Sequence, residues 1–460
     1  MRSSQRVPVL VVAGVWSGVG KTTVTLGILE ALRRRGLRVQ GFKVGPDFID
    51  PAFHALATGR PAYNLDGWMC GREHVVAAVA RRAADADLAV VEGVMGCFDG
   101  LEGASETGST AEIAKWLGAP VVLVLDAGAM ARSAAAVLLG FERFDPDVEL
   151  AGVIFNRAGG LVHRQWLHDA VALSCETRVL GALPHEGAVV LPERHLGLVT
   201  AAEGGYSAPL RRRLADLIEQ HVDVDALIGA ARSRVERRPA DDRAGARRAA
   251  AVTIAVAHDE AFQFYYRDNL EMLEEAGARI VGWSPLRDGA LPEADGLYLG
   301  GGYPELHARA LSANVEMRRQ VRAFAESGRP LYAECGGLMY LAGALTDPDG
   351  AAWPMVGLLP AAVRMEPGRL TIGYREVEIT APSPLGPAGT RARGHEFHRS
   401  ALGPVPGSVA RVYSISDGQG GAARPEGFAA GLALMSYVHL HFGSNPVLAR
   451  SFVSACATRC

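Results

Sequence analysis

The sequence contains few cysteines, and they do not form the patterns that mark a disulfide scaffold or a zinc ribbon. Six cysteines are spread over 460 residues, and no two of them make a C-x-x-C pair. Long apolar runs are also missing, since none approaches the ~18 residues that a membrane helix needs. Neither sign of charge is in excess, because 47 Lys and Arg against 50 Asp and Glu leave a net charge of −3. This balance argues against nucleic acid or a polybasic membrane surface as partners.

The composition is that of a globular protein with a large apolar core. Hydrophobic residues make up 49% of the chain, charged residues 21% and aromatic residues 7%. At about 150 residues per domain, the length predicts two or three domains. In the first half, continuous apolar runs alternate with stretches of helical spacing, which predicts an α/β fold with a mostly parallel sheet covered on both faces. The predicted strands are Val9–Val12, Arg38–Phe42, Leu88–Val91, Val121–Leu125 and Leu150–Phe155, and the predicted helices are Thr22–Arg35 and Glu73–Ala84.

A charged stretch without apolar periodicity, residues 234–249, separates two halves of comparable size. After it the α/β pattern starts again, with predicted elements at Val252–Ala257 (strand), Phe262–Ala276 (helix) and Gly296–Leu299 (strand). We therefore predict an N-terminal domain over residues 1–235, a linker over 236–250 and a C-terminal domain over 251–460.

The start of the chain resembles a short secretory signal. Arg2 and Arg6 precede the apolar run Val7–Gly14, as a positively charged region precedes the apolar core of such signals. The run leads directly into a glycine-rich loop that a nucleotide site would need intact. We therefore expect it to be the first buried strand of a cytoplasmic protein.

This glycine-rich loop has the residues of a phosphate-binding loop. Glycines let backbone N–H groups approach phosphate oxygens, and the helix that follows adds its positive N-terminal end. Lys21 would neutralise β- and γ-phosphate oxygens, and the Thr22 hydroxyl would ligate Mg²⁺. Five residues, rather than the four of the common motif, separate Gly14 from Gly20. The predicted nucleotide-binding residues are Gly18, Gly20, Lys21, Thr22 and Thr23.

Acidic residues follow the ends of later predicted strands. Asp47 and Asp50 come after the second strand, and Glu92 and Asp99 come after the third. Because the carboxyl ends of parallel strands meet at one edge of a sheet, we predict that Asp47 and Glu92 share the Mg²⁺ ion with Thr22. Asp99 is expected close by. Asp50 is interpreted as the cap of its own turn.

Two polar side chains complete the predicted nucleotide site. Lys43 follows the second strand and, together with Asp99, is assigned to the substrate or to phosphoryl transfer. Asn156 follows the apolar run Gly152–Phe155, where its amide would either contact a base or form a turn.

A second group of residues has the features of a cysteine nucleophile site. The segment Leu331–Tyr340 predicts a strand, a tight turn and a helix, with Cys335 at the turn. We expect this thiol to be exposed at a sharp elbow, with a pKa lowered by the helix N-terminus. His439 or His441, in a segment of strand character, would supply the base. The glycines Gly300–Gly302, of which Gly301 and Gly302 are the predicted donors, offer backbone N–H groups for an oxyanion hole.

Taken in order, these motifs resemble the cobyrinic acid a,c-diamide synthases over nearly the whole chain. The resemblance implies an N-terminal P-loop domain of the dethiobiotin synthetase type, a group that shares the longer phosphate loop. It also implies a C-terminal class I, triad-type glutamine amidotransferase domain. The matching segments are Ser17–Thr25, Phe42–Pro51, Asn64–Asp66, Trp68–Met69, Val91–Gly96, Phe98–Gly100, Gly300–Glu305, Ala333–Met339, Gly394–His398 and Tyr437–Phe442.

The resemblance assigns roles at the second centre as well. Cys335 is implied as the nucleophile and His439 as the residue that activates it. Class I enzymes with a full triad carry Glu two residues after this histidine, where the chain has His441. No third triad member is therefore named. The segment Gly394–His398 is expected near the substrate.

The implied reaction belongs to cobalamin biosynthesis. ATP with Mg²⁺ would phosphorylate two acetate carboxylates of a corrin, cobyrinic or hydrogenobyrinic acid, and ammonia from L-glutamine would displace the phosphate after a protected passage between the domains. The alternatives are nickel sirohydrochlorin as substrate, a cobyric acid synthase (whose motifs differ from these), and a P-loop regulatory ATPase with an inactive amidotransferase-like module. The sequence leaves open which acetate reacts first, whether the corrin carries cobalt, and whether the chain forms a homodimer.

Overall fold

The computed structural model describes residues 6–185, 193–194, 197–198, 204–238, 251–366 and 368–458. The chain divides into two units, Met1–Gly245 and Ala246–Cys460. The division falls in the stretch predicted as a linker, of which residues 239–250 lie outside the described residues. The boundaries 1–235 and 251–460 therefore stay predictions.

The N-terminal unit is built on a seven-stranded sheet, in which the paired strands run parallel. The fold class predicted for this half is therefore confirmed. Its strands are β1 (Val9–Gly14), β2 (Val39–Val44), β3 (Tyr63–Leu65), β4 (Leu88–Glu92), β5 (Val121–Asp126), β6 (Leu150–Ala158) and β7 (Val179–Pro184), and a separate antiparallel pair is formed by β8 (Glu193–Arg194) and β9 (Gly197–Leu198). The sheet order is β3-β2-β4-β1-β5-β6-β7.

Helices connect these strands. They are α1 (Lys21–Arg34), α2 (Asp50–Thr58), α3 (Gly67–Arg82), α4 (Thr110–Leu117), α5 (Ser133–Phe144), α6 (Leu161–Ser174), α7 (Ala208–His221) and α8 (Val224–Ala230). Helix α3 is broken at Gly71, whose φ of +75° and ψ of 167° are not helical, and its longer second part begins close to the predicted Glu73. The short first part begins at Gly67, where the Asp66 carboxylate caps the chain by accepting a hydrogen bond from Met69 N at 2.7 Å.

The order of the strands places one crevice at the centre of this sheet. Every residue of β1, β2 and β4 is buried, which explains the mainly apolar sequences of β1 and β4. Strand β1 lies between β4 and β5, while β2 lies on the other side of β4. The carboxyl ends of β1, β2 and β4 are therefore neighbours, and loops after these strands can meet around one ligand.

The C-terminal unit contains a ten-stranded mixed sheet and a smaller four-stranded sheet. The strands are β10 (Val252–Ala257), β11 (Ala278–Trp283), β12 (Gly296–Leu299), β13 (Leu331–Glu334), β14 (Ala342–Thr346), β15 (Ala352–Pro354), β16 (Leu359–Met365), β17 (Thr371–Ile379), β18 (Arg391–His398), β19 (Ser400–Leu402), β20 (Ala410–Asp417), β21 (Arg424–Ala430), β22 (Ala433–Ser436) and β23 (His439–Leu440). The large sheet has the order β11-β10-β12-β13-β22-β21-β20-β17-β18-β23, and the small sheet has the order β15-β14-β16-β19.

The helices of this unit are α9 (Arg267–Glu275), α10 (Ala308–Ala313), α11 (Val315–Glu326), α12 (Gly336–Leu341) and α13 (Val447–Ala457), with 3₁₀ turns at Pro304–His307 and Phe442–Ser444. The helix predicted from Phe262 was wrong in its first turn, since α9 begins at Arg267. The Asp259 carboxylate accepts hydrogen bonds from Ala261 N and Phe262 N, which holds this segment in a turn instead.

Alternation along β12 and β13 buries both faces of the large sheet. Leu297 and Leu299 pack into the core on one face together with Ala333, while Tyr298 and Tyr332 pack into the core on the other face. Glu334 follows Tyr332 by two residues, so its side chain starts from the tyrosine face.

Candidate functional site

The phosphate loop joins β1 to α1 in a conformation that requires glycine. Gly18 and Gly20 have φ values of +88° and +94°, in the left-handed region that side chains disfavour. A Cβ atom on Gly14 would lie 2.7 Å from Val19 Cγ2, so the loop closes on its own first residue. The ammonium group of Lys21 donates to Trp16 O at 3.3 Å across this loop. The loop thus has the compact, backbone-lined form that cradles phosphates.

Lys21 and Thr22 lie in the first turn of α1, as the motif predicts. Burial lowers the pKa of Lys21, and the neighbouring Lys43 ammonium lowers it further. The Thr22 hydroxyl donates to Glu92 Oε1 at 2.6 Å. Thr23, half-buried, follows in the same turn.

Glu92 is the centre of a buried charged cluster at the end of β4. Its side chain is fully buried, which is costly for a carboxylate without partners. Besides the Thr22 hydroxyl, it accepts from Lys43 Nζ at 3.0 Å and makes a 2.6 Å hydrogen bond to His54 Nε2. Although burial opposes its ionisation, the charge of Lys43 and the hydrogen bonds hold the pKa of Glu92 below its usual range. Glu92 is therefore charged in the resting protein, whereas burial raises the pKa of the neighbouring Asp50 well above its usual range.

The two aspartates after β2 have different surroundings. Asp47 Oδ1 accepts from the backbone N–H groups of Ile49 and Asp50 and so caps the start of α2. The interpretation of Asp50 as a turn cap was wrong: its buried Oδ2 lies 2.6 Å from Lys43 Nζ and 3.4 Å from Thr22 Oγ1. The reason is that Asp50 opens α2, which directs its side chain towards the end of β4. The role of Asp47 as a metal ligand stays a prediction.

Lys43 is the cation that this cluster encloses. Burial by itself would lower its pKa, but the carboxylates of Asp50 and Glu92 raise it above its ordinary value. Its ammonium group also donates to Gly93 O at 3.0 Å.

The other two residues predicted for this site lie against the phosphate loop. Asp99 Oδ2 accepts from Gly96 N at 2.8 Å, and its charge acts on Lys21. Asn156 donates from Nδ2 to Val19 O at 2.8 Å and accepts from Arg157 N through Oδ1 at 2.9 Å. Asn156 therefore braces the loop in this structure, and its contact with a base stays a prediction.

The donor set fits a magnesium ion. Three hard oxygen ligands from three different elements meet here. The Thr22 hydroxyl oxygen lies 2.6 Å from Glu92 Oε1 and 3.4 Å from Asp50 Oδ2. Mg²⁺ prefers one or two carboxylates together with phosphate and water oxygens. Thr22, Glu92 and Asp50 are thus the residues that would hold it.

The second centre has the strained turn of a nucleophile elbow. Cys335 follows β13 and precedes α12, with φ +46° and ψ −100°, which is unusual for a residue with a side chain. The two glycines after it allow close packing. A Cβ on Gly336 would stand 3.0 Å from Gly302 N, and a Cβ on Gly337 would overlap Leu299 O.

The expectation of an exposed thiol with a lowered pKa was wrong. Cys335 is only 5% exposed. Burial raises the pKa of its thiol above the ordinary value, and the carboxylates of Glu305, Glu334 and Glu396 act in the same direction. The hydrogen bond from Gly336 N opposes them without overcoming them. In the resting protein the thiol is therefore protonated, and activation depends on a base.

Gly301 connects the elbow with the predicted base. A Cβ on Gly301 would overlap Cε1 of His439, so the imidazole packs directly on this glycine. The backbone of Gly301 and Gly302 also lies against Gly336, next to Cys335. Because the Gly301 N–H donates to Phe264 O at 3.3 Å, Gly302 is the better oxyanion donor of the two.

His439 and His441 have different surroundings. His439 lies in β23, opposite His395 of β18, and the two rings stack at 5.0 Å. His441 precedes the last 3₁₀ turn and accepts from Gly443 N through Nδ1 at 3.0 Å. The predicted continuous strand is interrupted after Ser436, which separates the two environments. The geometry thus favours His439 over His441 as the partner of Cys335.

The C-terminal unit contains a cavity of about 580 Å³. Ser400, which lines it, has its Oγ 3.8 Å from Sδ of Met339 in α12 and 3.0 Å from the Tyr437 hydroxyl. The end of the segment Gly394–His398 reaches the wall. The charged and aromatic residues that line the cavity include Arg369, Arg375, Glu396, His398, Arg411, Arg424 and Tyr437.

Comparison with known proteins finds a family match in each half of the chain. The CobQ/CobB/MinD/ParA nucleotide binding domain matches residues 10–199, and the CobB/CobQ-like glutamine amidotransferase domain matches residues 253–447. A cobyrinate a,c-diamide synthase of Syntrophotalea carbinolica is 48% identical over 456 residues, which is 98% of each chain. The cobyrinate a,c-diamide synthase of Salmonella typhimurium is 42% identical over 97% of each chain, and one from Dehalococcoides mccartyi is 43% identical over 97% of each chain.

The chain belongs to the cobyrinate a,c-diamide synthase family. It is accordingly an enzyme, a ligase with a nucleotide-binding domain and a glutamine amidotransferase domain. Among the residues that the structure describes, no helix combines the length and the apolar character of a membrane span.

Three residues of this family member were missed or undervalued in the sequence. Asp50 and His54 are four residues apart on α2, so they share the face that meets Glu92, and this spacing was a usable signal. Glu334 carried no signal beyond being a charged residue at the end of an apolar strand. Its surroundings are supplied by distant segments.

Proposed function

We propose that the chain catalyses ATP- and glutamine-dependent amidation of the a and c acetate carboxylates of cobyrinic acid or hydrogenobyrinic acid. One observation carries this proposal: a charged cluster centred on Glu92 behind a phosphate loop, and a strained cysteine at an elbow, occur in one chain. The first suits phosphoryl transfer and the second suits amide hydrolysis. The names of the relatives support the corrin substrate.

At the N-terminal centre, the residues stabilise negative charge. Lys21 and the loop N–H groups would hold the phosphates, while Thr22, Glu92 and Asp50 would hold Mg²⁺. When bound, Mg²⁺ would offset charge on the transferred phosphoryl group. A corrin carboxylate oxygen attacks the γ-phosphorus, ADP leaves, and an acyl phosphate remains. Lys43 and Asp99 are proposed to orient the carboxylate and the phosphoryl group.

At the C-terminal centre, Cys335 supplies the nucleophile. His439 takes the thiol proton, Sγ attacks the side-chain amide carbon of glutamine, and Gly302 N–H stabilises the oxyanion. The proton passes to the leaving nitrogen, ammonia is released, and water hydrolyses the glutamyl thioester. Ammonia then attacks the acyl phosphate carbon and expels phosphate, which leaves a primary amide. The cycle runs twice on each corrin.

The nitrogen source tests this division of labour. In Cys335→Ala, amidation with glutamine should fall to background, whereas amidation with ammonium chloride should continue. An unchanged rate with ammonia would also show that the variant is folded. Undiminished glutamine use by the variant would overturn the assignment of Cys335.

A further inference from the structure

Glu334 is a buried carboxylate that the reaction as described does not use. It ends β13, directly before Cys335, and is only 2% exposed. Its Oε1 accepts from the Tyr332 hydroxyl at 2.6 Å and from Leu440 N at 2.9 Å. Its Oε2 accepts from the Tyr298 hydroxyl at 2.9 Å and lies 3.9 Å from Nδ1 of His439.

These contacts orient the carboxylate towards the imidazole. Burying a carboxylate is unfavourable unless donors compensate it, and two tyrosines and one amide do so here. The amide belongs to Leu440, the residue after His439. The Glu334 carboxylate therefore holds the backbone of β23 and also faces the His439 ring. The distance of 3.9 Å is longer than a hydrogen bond, and the imidazole is neutral in the resting protein because burial lowers the pKa of His439. Catalytic hydrogen bonds are often long before the substrate binds and tighten in the reacting complex.

His441 occupies the position where the resemblance to class I amidotransferases calls for a glutamate. Its Nδ1 accepts from Gly443 N, and its ring packs against Tyr266 at 4.4 Å. An imidazole in this role does not supply negative charge to His439. Glu334 reaches His439 from the end of β13 instead, at the residue before the nucleophile.

We propose that Glu334 is the positioning residue of the amidotransferase centre, holding His439 in the orientation and proton state that activate Cys335. The proposal rests on the proposed function of Cys335 and His439 in glutamine hydrolysis. A carboxylate beside Nδ1 selects the tautomer that leaves Nε2 free to accept the thiol proton, and it stabilises the imidazolium that then forms. Glu334 thereby acts through His439 rather than on glutamine.

Several titratable groups face this pair. His395 and His398 of β18 lower the pKa of His439 after burial itself, which is the largest cause. Tyr298 and Tyr332 face Glu334 from β12 and β13, and burial raises the pKa of Glu334 to about 7. Glutamine hydrolysis by the wild-type enzyme should therefore rise with pH through about 7, as Glu334 ionises.

Steady-state glutaminase kinetics of Glu334→Gln test the proposal. The kcat should fall at least about 10-fold, the KM for glutamine should stay within about threefold, and the rise through neutral pH should disappear. Glu334→Asp, which keeps a carboxylate, should recover part of the kcat and a pH-dependent rise. Glu326→Gln, an exposed glutamate of α11 in an ion pair with Arg322, serves as the matched control and should behave as wild type.

Tyr298→Phe gives an independent measurement if Glu334→Gln fails to fold. Because the tyrosine hydroxyl lowers the pKa of Glu334, its loss should move the rise in glutaminase activity to higher pH. Equal kcat losses in Glu334→Gln and Glu334→Asp with unchanged pH profiles, or an unshifted profile in Tyr298→Phe, would overturn the positioning role. Failure of the proposed function is recognised separately, because Cys335→Ala would then still hydrolyse glutamine.

Discussion

The Nζ atom of Lys43 lies 2.6 Å from Oδ2 of Asp50, and both side chains are buried. The contact joins the end of β2 to the first residue of α2. The same ammonium group lies 3.0 Å from Glu92, so one cation bridges two buried carboxyl groups in the N-terminal unit. A charged cluster of this kind is costly to bury. Its position behind the phosphate loop suits it to phosphoryl transfer, the role proposed for this centre.

Lys43→Met should destabilise the N-terminal unit by about 3–5 kcal/mol, because it leaves two buried carboxylates without their cation. Chemical denaturation, monitored without nucleotide, measures this loss. Lys115→Met is the matched control. Lys115 also pairs with two carboxylates, those of Glu106 and Asp145, but all three side chains are partly exposed, so the change should cost less than about 1 kcal/mol. Similar losses in the two variants would contradict the account of the cluster.

Asp50→Asn should lower amidation at least about 30-fold with glutamine and with ammonia alike, because it removes a carboxyl oxygen that contacts Lys43 and Thr22 and that would bind Mg²⁺. Glutamine hydrolysis at the other centre should continue.

Asp47→Asn should leave stability within about 0.5 kcal/mol of wild type, since Asn caps helices as well as Asp. Product formation against Mg²⁺ concentration then measures whether Asp47 also binds the ion: a requirement raised about 10-fold is expected, and an unchanged one would remove Asp47 from the ligand set.

Gly301→Ala should lower glutamine-dependent amidation about 100-fold, because its Cβ would displace the His439 ring. Amidation with ammonia should persist. The comparison is with Gly282→Ala in β11, where an added Cβ meets no atom within 4 Å. If both variants retained full glutamine use, His439 would not be the base.

The thiol of Cys335 should react slowly with iodoacetamide in the resting enzyme. Burial raises its pKa above the ordinary value, so the reactive thiolate forms only as the pH rises beyond the range in which a free cysteine ionises. Peptide mapping by mass spectrometry follows the labelling of this residue alone. The rate should still be increasing above about pH 9. A plateau below neutral pH would instead indicate a preformed thiolate.

The parallel sheet and the phosphate loop were predictable because their signals are local. All five strands predicted in the first half are present, since buried parallel strands are apolar on both faces. Lys21 and Thr22 follow from the loop motif, and Glu92 follows from the cost of a carboxylate after an apolar strand. The short edge strand β3 has only three residues and gave no comparable pattern.

The parts that could not be predicted depend on contacts between distant segments. Which of Asp47 and Asp50 faces Lys43 is decided by where α2 begins, and the sequence marks that point only weakly. The raised pKa of Cys335 involves Glu305 and Glu396, which are far from it along the chain. The glycines that follow Cys335 predict a tight turn, whereas the burial of the thiol is set by tertiary packing.

The most direct test of the central claim is mass spectrometry of the products formed with ATP, Mg²⁺ and amide-¹⁵N-labelled glutamine. Cobyrinic acid and hydrogenobyrinic acid are offered in parallel reactions. The account predicts that at least one corrin gains two amides that carry ¹⁵N, and the corrin that does so identifies the substrate. Hydrolysis of ATP without an amide on either corrin would contradict it.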